Sequence, residues 1–340
     1  MLSPERPPIY IVGWPGRIGG ASTKIAHLIR LLHQRFDLTV ALPQKQFIGD
    51  CEVRSLTEPF GVRLIFWKSI AKHSEAVALV ICDKEFFTTS RARFLKEQGL
   101  KVVWSNEMMF PFNGEEAAAK EGIVDRVLFV SDFQARIFRH IYQGVPSLIT
   151  GNYIDPDDYA WKNRRNFAFT IGRLSRADVH KYPLDFPVFY QELGLRDVRY
   201  RVMAWNSELQ KQYRWHRFGP EWDLLPANKE PALKFLYGLD LFVYPLGHRI
   251  KESWGRAVVE AMLTGCVPLV PTGHQFDKLM VNGESGFICD KFSDWKAAVH
   301  ELYENYPLRQ KMARAASDYA REHLCNPEEH RKRWIEALTF

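Results

Sequence analysis

The sequence lacks long apolar runs and has few cysteines. Its longest apolar stretches, such as Val77–Cys82, are far shorter than the ~20 residues that a membrane-spanning helix needs. The 5 cysteines are widely spaced and form no CxxC pair, so neither a disulfide framework nor a zinc site is indicated. Met1–Pro15 has no apolar core of the kind found in a signal peptide. We therefore expect a reduced, cytoplasmic protein.

A strong excess of charge of one sign is also missing. The chain has 46 Lys and Arg against 40 Asp and Glu, and the resulting net charge of +6 is spread along 340 residues. Nucleic-acid-binding proteins usually concentrate basic residues on one element. The single aromatic and basic stretch, Tyr213–Phe218, is more typical of packing with a solvated edge. We expect no nucleic-acid partner.

Short apolar runs alternate with segments of helical periodicity, which predicts parallel sheets covered on both faces. The alternation pauses over residues 144–166, which are rich in Gly, Pro, Asn and Asp, and then resumes. The sequence therefore predicts two doubly wound, Rossmann-like α/β domains that face a cleft, over residues 1–150 and 151–326. The predicted strands are Ile9–Val12, Leu38–Leu42, Val62–Trp67, Ala78–Cys82, Val102–Ser105, Val127–Ser131, Phe167–Ile171, Arg199–Ala204, Leu241–Tyr244, Val267–Val270 and Gly286–Cys289.

Ligands of open α/β sheets bind beyond the carboxyl ends of the strands, so the loops there hold the candidate sites. The first loop, Gly13–Gly20, is rich in glycine, but its spacing fits neither the dinucleotide fingerprint nor a P-loop. It either brings backbone N–H groups to a phosphate or sugar, or is a flexible connector. The second loop places Arg173 directly after a predicted strand end, with Lys181 close behind. Two such cations suit a diphosphate.

The third candidate, Glu252–Pro268, combines two carboxylates with a helix-like pattern. Ser253 is predicted to cap a helix, so that the N–H groups of residues 253–255 form an anion site. Glu260 lies about 12 Å from Glu252 along such a helix. That is too far for two carboxylates that act on one glycosidic bond. They can instead bind the two ends of an extended ligand such as a nucleoside diphosphate sugar; the alternative is that Glu260 is solvated.

This segment resembles the E-x7-E motif of retaining glycosyltransferases of the family 4 type. The motif here consists of Glu252-Ser253-Trp254-Gly255 and Glu260-Ala261-Met262, followed by Gly265 and Pro268. Further similarities occur in the same order along most of the chain. They are Gly19-Gly20, Ser131-Asp132, Asn152–Asp155, Gly172–Ser175 and Asn282–Phe287.

The resemblance implies the GT-B fold and transfer of a sugar from a nucleoside diphosphate sugar to an acceptor hydroxyl. Configuration would be retained by front-face substitution, in which the leaving diphosphate helps to deprotonate the acceptor. Residues 1–150 would be the acceptor side and residues 151–326 the donor side, with a C-terminal helix within 327–340 packing back on the first domain. The resemblance implies that no metal is required. It also implies no cofactor, because the nucleoside diphosphate sugar is consumed as a substrate.

The resemblance also implies roles for individual residues. Glu252 would face the donor sugar, Arg173 and Lys181 would bind the diphosphate, and Glu260 would accept hydrogen bonds from the ribose. Lys181 follows Arg173 after more residues than is usual in the family. Many members have a His near position 106; here Asn106 or Glu107 takes its place, and His248 is a further candidate for the sugar. Main-chain groups would complete the phosphate cradle at Gly19, Gly20, Ser253, Trp254 and Gly255.

Two other functions stay open. A nucleotide-sugar epimerase would share the diphosphate cradle but needs further proton-transfer groups, and a non-catalytic protein could bind a sugar nucleotide with the same fold. A nicotinamide dehydrogenase is disfavoured because the glycine spacing is wrong.

The acceptor can be a glycan, a glycolipid or a small molecule. Residues 1–151 have 19 Lys and Arg against 15 Asp and Glu, which favours an anionic acceptor or peripheral docking on an anionic membrane.

Overall fold

The structure is a computed structural model, and it describes residues 6–162 and 168–340. The chain divides into two compact units, Met1–Ile154 with Pro327–Phe340, and Asp155–Asn326. The first unit therefore extends slightly past residue 150, where the sequence analysis places the boundary.

The first unit is built on a parallel sheet of seven strands in the order β3-β2-β1-β4-β5-β6-β7. Its strands are β1 (Pro8–Val12), β2 (Asp37–Leu42), β3 (Arg63–Phe66), β4 (Val77–Ile81), β5 (Lys101–Ser105), β6 (Arg126–Phe129) and β7 (Ser147–Ile149). Its helices in this part of the chain are α1 (Gly20–Leu32), α2 (Cys51–Thr57), α3 (Arg91–Glu97), α4 (Glu115–Lys120) and α5 (Asp132–Phe138).

The second unit has a parallel sheet of six strands in the order β10-β9-β8-β11-β12-β13. The strands are β8 (Phe169–Leu174), β9 (Val198–Met203), β10 (Trp222–Leu225), β11 (Leu241–Val243), β12 (Val267–Pro271) and β13 (Phe287–Cys289). The helices are α6 (Phe186–Glu192), α7 (Ser207–Gln212), α8 (Ala232–Tyr237), α9 (Arg256–Leu263), α10 (Phe292–Glu304) and α11 (Tyr306–Tyr319), which continues into a π-helical turn, Ala320–Leu324.

The last helix, α12 (Pro327–Leu338), belongs to the first unit. Trp334, Ala337 and Leu338 are buried in the core of that unit. Arg331 Nε also donates to the Leu31 carbonyl of α1 at 3.3 Å. The apolar stripe of α12 thus completes a face of the first sheet. Among the described residues, no helix has both the length and the apolar character of a membrane span.

The central strands are buried on both faces, which is why they are recognisable as continuous apolar runs. Every residue of β4 is buried, for example. The prediction of two parallel α/β domains is confirmed.

Two strands were not predicted, and both lie at sheet edges. β7 is short and lies within the Gly- and Pro-rich residues 144–166, while β10 has only Trp222 fully buried. An edge strand is covered less completely, so its sequence carries less of the apolar signal. Residues 163–166 of the predicted pause, and Phe167 of a predicted strand, lie outside the described residues.

Candidate functional site

Glu252 lies in the loop between β11 and α9, and three loops of the second unit meet at it. Its carboxylate accepts hydrogen bonds from the ammonium of Lys181 and, at 3.1 Å, from the hydroxyl of Tyr244. Its backbone N–H donates to Nδ1 of His274 at 3.3 Å. Lys181 follows β8, Tyr244 follows β11 and His274 follows β12, three adjacent strands. The cluster therefore lies at the carboxyl edge of the sheet, where ligands of such sheets bind.

Burial and ion pairing together set the protonation states of this cluster. Burial opposes the charge of Lys181, but Tyr244 and Glu252 outweigh it, and the pKa of Lys181 is raised. Burial, followed by the nearby charge of Glu252, raises the pKa of Tyr244 to about 12. Burial lowers the pKa of His274, although Glu252 opposes this. At neutral pH the cluster is a Lys–Glu ion pair flanked by a neutral phenol and a neutral imidazole.

Arg173 lies beneath this cluster and is completely buried. Its Nη1 donates to the Pro245 carbonyl at 2.6 Å, and its Nη2 donates to the Lys181 carbonyl at 3.2 Å. The guanidinium stacks on Tyr182 at 4.0 Å and on Tyr244 at 4.5 Å from the ring centres. Within residues 6–162 and 168–340, no carboxylate pairs with it and its Nε has no hydrogen-bond partner. Arg173 thus joins two loops of the site and carries a charge that no described carboxylate neutralises.

The helix after Glu252 begins later than predicted. α9 starts at Arg256, and Gly255 is its N-cap with a φ of 93°, a conformation that favours glycine. A Cβ at this position would also lie 2.7 Å from the ring of Phe276. The prediction that Ser253 caps the helix is wrong, so residues 253–255 present their N–H groups from a loop. Glu252 therefore lies outside the helix that carries Glu260, so a separation calculated for one shared helix does not apply.

Glu260 lies on α9 and is largely buried. Its carboxylate accepts a hydrogen bond from Nε of Arg256 at 2.9 Å, one helical turn earlier. Burial, and then the charge of Glu260, raise the pKa of Tyr159 well above its usual range. Glu260 is therefore a paired carboxylate and not a solvated helix residue.

In the first unit, the glycine-rich loop leads directly into α1. The helix begins at Gly20 and its N-cap is Gly19, which has a φ of 87°. Ser22 and Thr23, whose side chains are of the kind that often cap helices, lie inside the first turn, where the Thr23 hydroxyl donates to the Gly19 carbonyl at 3.0 Å. Gly19 and Gly20 are both exposed, so their backbone is open to a ligand.

Asn106 and Glu107, two candidates for the sugar, have different environments. Asn106 is completely buried, and its amide nitrogen donates to the carboxylate of Glu115 at 3.0 Å and to the Phe110 carbonyl at 3.1 Å. Its side chain therefore stabilises the loop after β5 through hydrogen bonds within that loop. Glu107 instead pairs with Lys24 at 2.7 Å.

The two remaining candidates, His248 and Trp254, differ in their exposure to solvent. His248 is exposed in the loop before Glu252, and Trp254 is buried. Within the described part of the chain, no group of three or more His, Cys, Asp or Glu side chains has the arrangement of a metal site. Sequence reasoning missed Lys24, Tyr244 and His274. Of these three residues, only Tyr244 could have been found from the sequence, because it ends a predicted strand and ligands bind at strand ends.

Comparison with known proteins places this geometry in context. Residues 194–319 match the profile of a family described as "Glycosyl transferases group 1". That segment includes Glu252 and Glu260 but not Arg173 or Lys181. No curated protein sequence matches the chain significantly.

Solved structures resemble the chain over nearly its whole length at low identity. HepE from Anabaena in complex with UDP-glucose has a TM-score of 0.76 and 14% identity, covering 97% of this chain and 98% of that one. A glycosyltransferase from Rickettsia africae ESF-5 has a TM-score of 0.76 and 11% identity, covering 98% of both chains. The lipopolysaccharide outer core galactosyltransferase WaaB has a TM-score of 0.66 and 10% identity, covering 97% of this chain and 98% of that one. The chain thus has the GT-B fold, and its residues 194–319 are similar to the glycosyl transferases group 1 family, which supports the expected activity as a transferase enzyme.

Proposed function

We propose that the protein is a retaining glycosyltransferase of the family 4 type that transfers a sugar from a nucleoside diphosphate sugar to an acceptor hydroxyl. The observation that carries the proposal is the cluster of Lys181, Tyr244 and Glu252 at the carboxyl edge of the second sheet. It holds a carboxylate and an ammonium together in the domain that the family segment occupies. HepE was solved with UDP-glucose, so UDP sugars are the first donors to test.

The contacts suggest a division of roles within the donor site. Glu252, held by Tyr244, faces the donor sugar, and the ammonium of Lys181, which pairs with Glu252, binds the diphosphate. Arg173 supports binding from below, because a buried cation without a carboxylate gains most from an added anion. It also holds the Lys181 backbone in place. Glu260 is proposed to bind the ribose.

The same residues suggest why the reaction would need neither a metal nor a cofactor. Charge that develops on the leaving diphosphate is stabilised by preorganised cations and N–H groups at its oxygens. Lys181, Arg173 and the N–H groups of residues 253–255 supply these in the second unit. The proposed front-face mechanism then uses the leaving diphosphate itself to deprotonate the acceptor. In the first unit, Gly19, Gly20 and Glu107 remain predicted substrate contacts, and the acceptor remains a glycan, a glycolipid or a small molecule.

We further propose that the protein is cytoplasmic and associates peripherally with an anionic membrane through its first unit. Two large apolar side chains there, Ile18 and Phe110, are 59% and 51% exposed. They lie in the loops that follow β1 and β5, at one edge of the parallel sheet. Such side chains, together with basic charge, favour an anionic bilayer. Equal sedimentation with anionic and neutral vesicles would contradict this proposal.

The experiment that tests the transferase incubates the protein with a panel of nucleotide sugars, without acceptor or added metal. Thermal stabilisation and released nucleoside diphosphate are measured together. Stabilisation by one donor, with slow release of its diphosphate, supports the proposal and identifies the donor. Glu252→Ala is the matched control, and we expect it to bind the donor without releasing diphosphate.

The alternatives predict different products in this experiment. An epimerase returns an altered sugar that is still attached to its nucleotide. A binding protein is stabilised by the donor but releases no diphosphate, and a second incubation with candidate acceptors leaves that result unchanged. Either result contradicts the transferase.

A further inference from the structure

Lys24 is completely buried in the first unit, which is rare for a lysine. It lies on α1, just after the glycine-rich loop. Its ammonium donates to Oε1 of Glu107 at 2.7 Å and to the Ser105 hydroxyl at 3.4 Å. The Ser105 hydroxyl donates to the same oxygen of Glu107 at 2.7 Å. Lys24 also lies 5.2 Å from the centre of the Trp334 ring on α12. One carboxylate oxygen is thus held by two donors from two different elements.

Stability alone is a poor explanation for this pair. Burying two charges costs free energy, and replacing a buried ion pair by apolar residues of similar volume is often neutral or stabilising. The location of the pair is more informative. Glu107 follows β5 and Lys24 follows the loop after β1, and both strands end at the same edge of a parallel sheet. This is the edge at which such sheets bind ligands.

The backbone around Glu107 is fixed by a different group. Glu115 is completely buried and accepts hydrogen bonds from Trp104 Nε1 at 2.7 Å, from the Asn106 amide and from the Phe112 N–H at 2.6 Å. The hydroxyl of Tyr142 also donates to it. These bonds hold the ends of the loop over residues 106–114. The loop is therefore anchored by Glu115, while Lys24 and Ser105 both hold Oε1 of Glu107.

We propose that Lys24 is a positioning residue that orients Glu107, and that the Glu107 carboxylate accepts a hydrogen bond from a hydroxyl of a sugar substrate. The inference rests on the proposed function and adds a residue to it. Lys24 does not touch the substrate. Without its ammonium, the largely buried carboxylate of Glu107 would lose its paired charge while the Ser105 hydroxyl still donates to it, so its direction would be less tightly held.

The test is a double-mutant cycle with wild type, Lys24→Met, Glu107→Gln and the double variant. Thermal midpoints are measured with kcat and KM for the donor that the wild type turns over. We expect each single variant to lose stability and the double variant to recover most of it, because no charge is then left unpaired. We expect kcat/KM to fall about ten- to a hundred-fold in all three, as for loss of a hydrogen bond to a charged group. The double variant should be no worse than Glu107→Gln.

A purely structural pair would behave differently, since recovered stability would bring recovered activity. A double variant with wild-type stability and wild-type kcat/KM therefore overturns the proposal. So does Lys24→Met with a lower thermal midpoint but unchanged kinetics.

The matched control is the Lys96–Asp125 pair, 2.7 Å apart, which lies at the opposite end of β5, where Asp125 also accepts the Val102 N–H. Lys96→Met with Asp125→Asn should change stability only. Absence of wild-type turnover with every donor would refute the proposed function, and this inference with it. Wild-type turnover with an unaffected double variant refutes this inference alone.

Discussion

Gly247 lies where two loops of the candidate donor site touch, and replacing it by alanine tests how tightly that site is held. A Cβ at this position would lie 2.3 Å from the His180 carbonyl oxygen and 2.9 Å from the Tyr182 carbonyl oxygen. Real Cβ atoms essentially never come closer than 3.0 Å to another heavy atom, so the backbone must move by about 0.7 Å. Both carbonyls are backbone groups, so no side chain can rotate to relieve the clash.

The displacement acts on Lys181, which lies between these two carbonyls in the chain. Moving its segment shifts the ammonium relative to Glu252 and strains the hydrogen bond from Arg173 to the Lys181 carbonyl. Overpacking of this kind costs about 1–3 kcal/mol, and a misplacement of about 1 Å in a positioning group can cost about a hundred-fold in rate. We expect Gly247→Ala to fold with a free energy of unfolding lower by about 1–3 kcal/mol, and to release nucleoside diphosphate about ten- to a hundred-fold more slowly.

Urea denaturation and steady-state kinetics with the identified donor measure the two effects. Gly49→Ala is the control, because a Cβ there meets nothing within 4 Å and its φ is ordinary. It should be neutral or stabilising by less than about 1 kcal/mol. Wild-type kcat and KM in Gly247→Ala would show that the contact between these loops does not position Lys181.

Three further predictions concern other groups. Glu252→Ala should abolish transfer with a modest loss of nucleotide affinity, whereas Arg173→Ala should mainly weaken diphosphate binding. Calorimetric titration with the nucleoside diphosphate distinguishes these two effects. Equal activity of wild type and Glu252→Ala would refute the role of that carboxylate. Glu115→Ala should lower the free energy of unfolding by at least about 3 kcal/mol, because buried donors lose their acceptor; a urea midpoint within error of wild type would contradict this. Burial lowers the pKa of His274 below 6.5, so the unfolded state binds more protons and stability falls as the pH drops below about 6.5. His274→Gln should lose that part of the pH dependence in urea titrations at pH 7.5 and 5.5, and an unchanged pH dependence would exclude His274 as its source.

Local patterns in the sequence were enough to predict the architecture, because a strand that is buried on both faces is a continuous apolar run in the sequence. β4 is a continuous apolar run and is buried throughout, and most other strands were predicted for the same reason. The ordered motifs indicated the GT-B fold, since most of them lie in the last residues of a strand or in the loop next to one. β7 and β10 escaped prediction because edge strands are only partly covered.

Tertiary structure decided what each polar residue does. Lys24 reads as an ordinary polar residue of a helix, and only folding brings it to a carboxylate 83 residues away. The burial of Arg173 beneath Lys181 and the late start of α9, at Arg256, also depend on neighbouring loops. Strand and helix patterns arise from interactions with near neighbours and with water, and a short sequence window contains them. Hydrogen bonds between side chains that are far apart in the sequence depend on how the loops pack. Only the folded chain therefore determines which charged side chains form ion pairs.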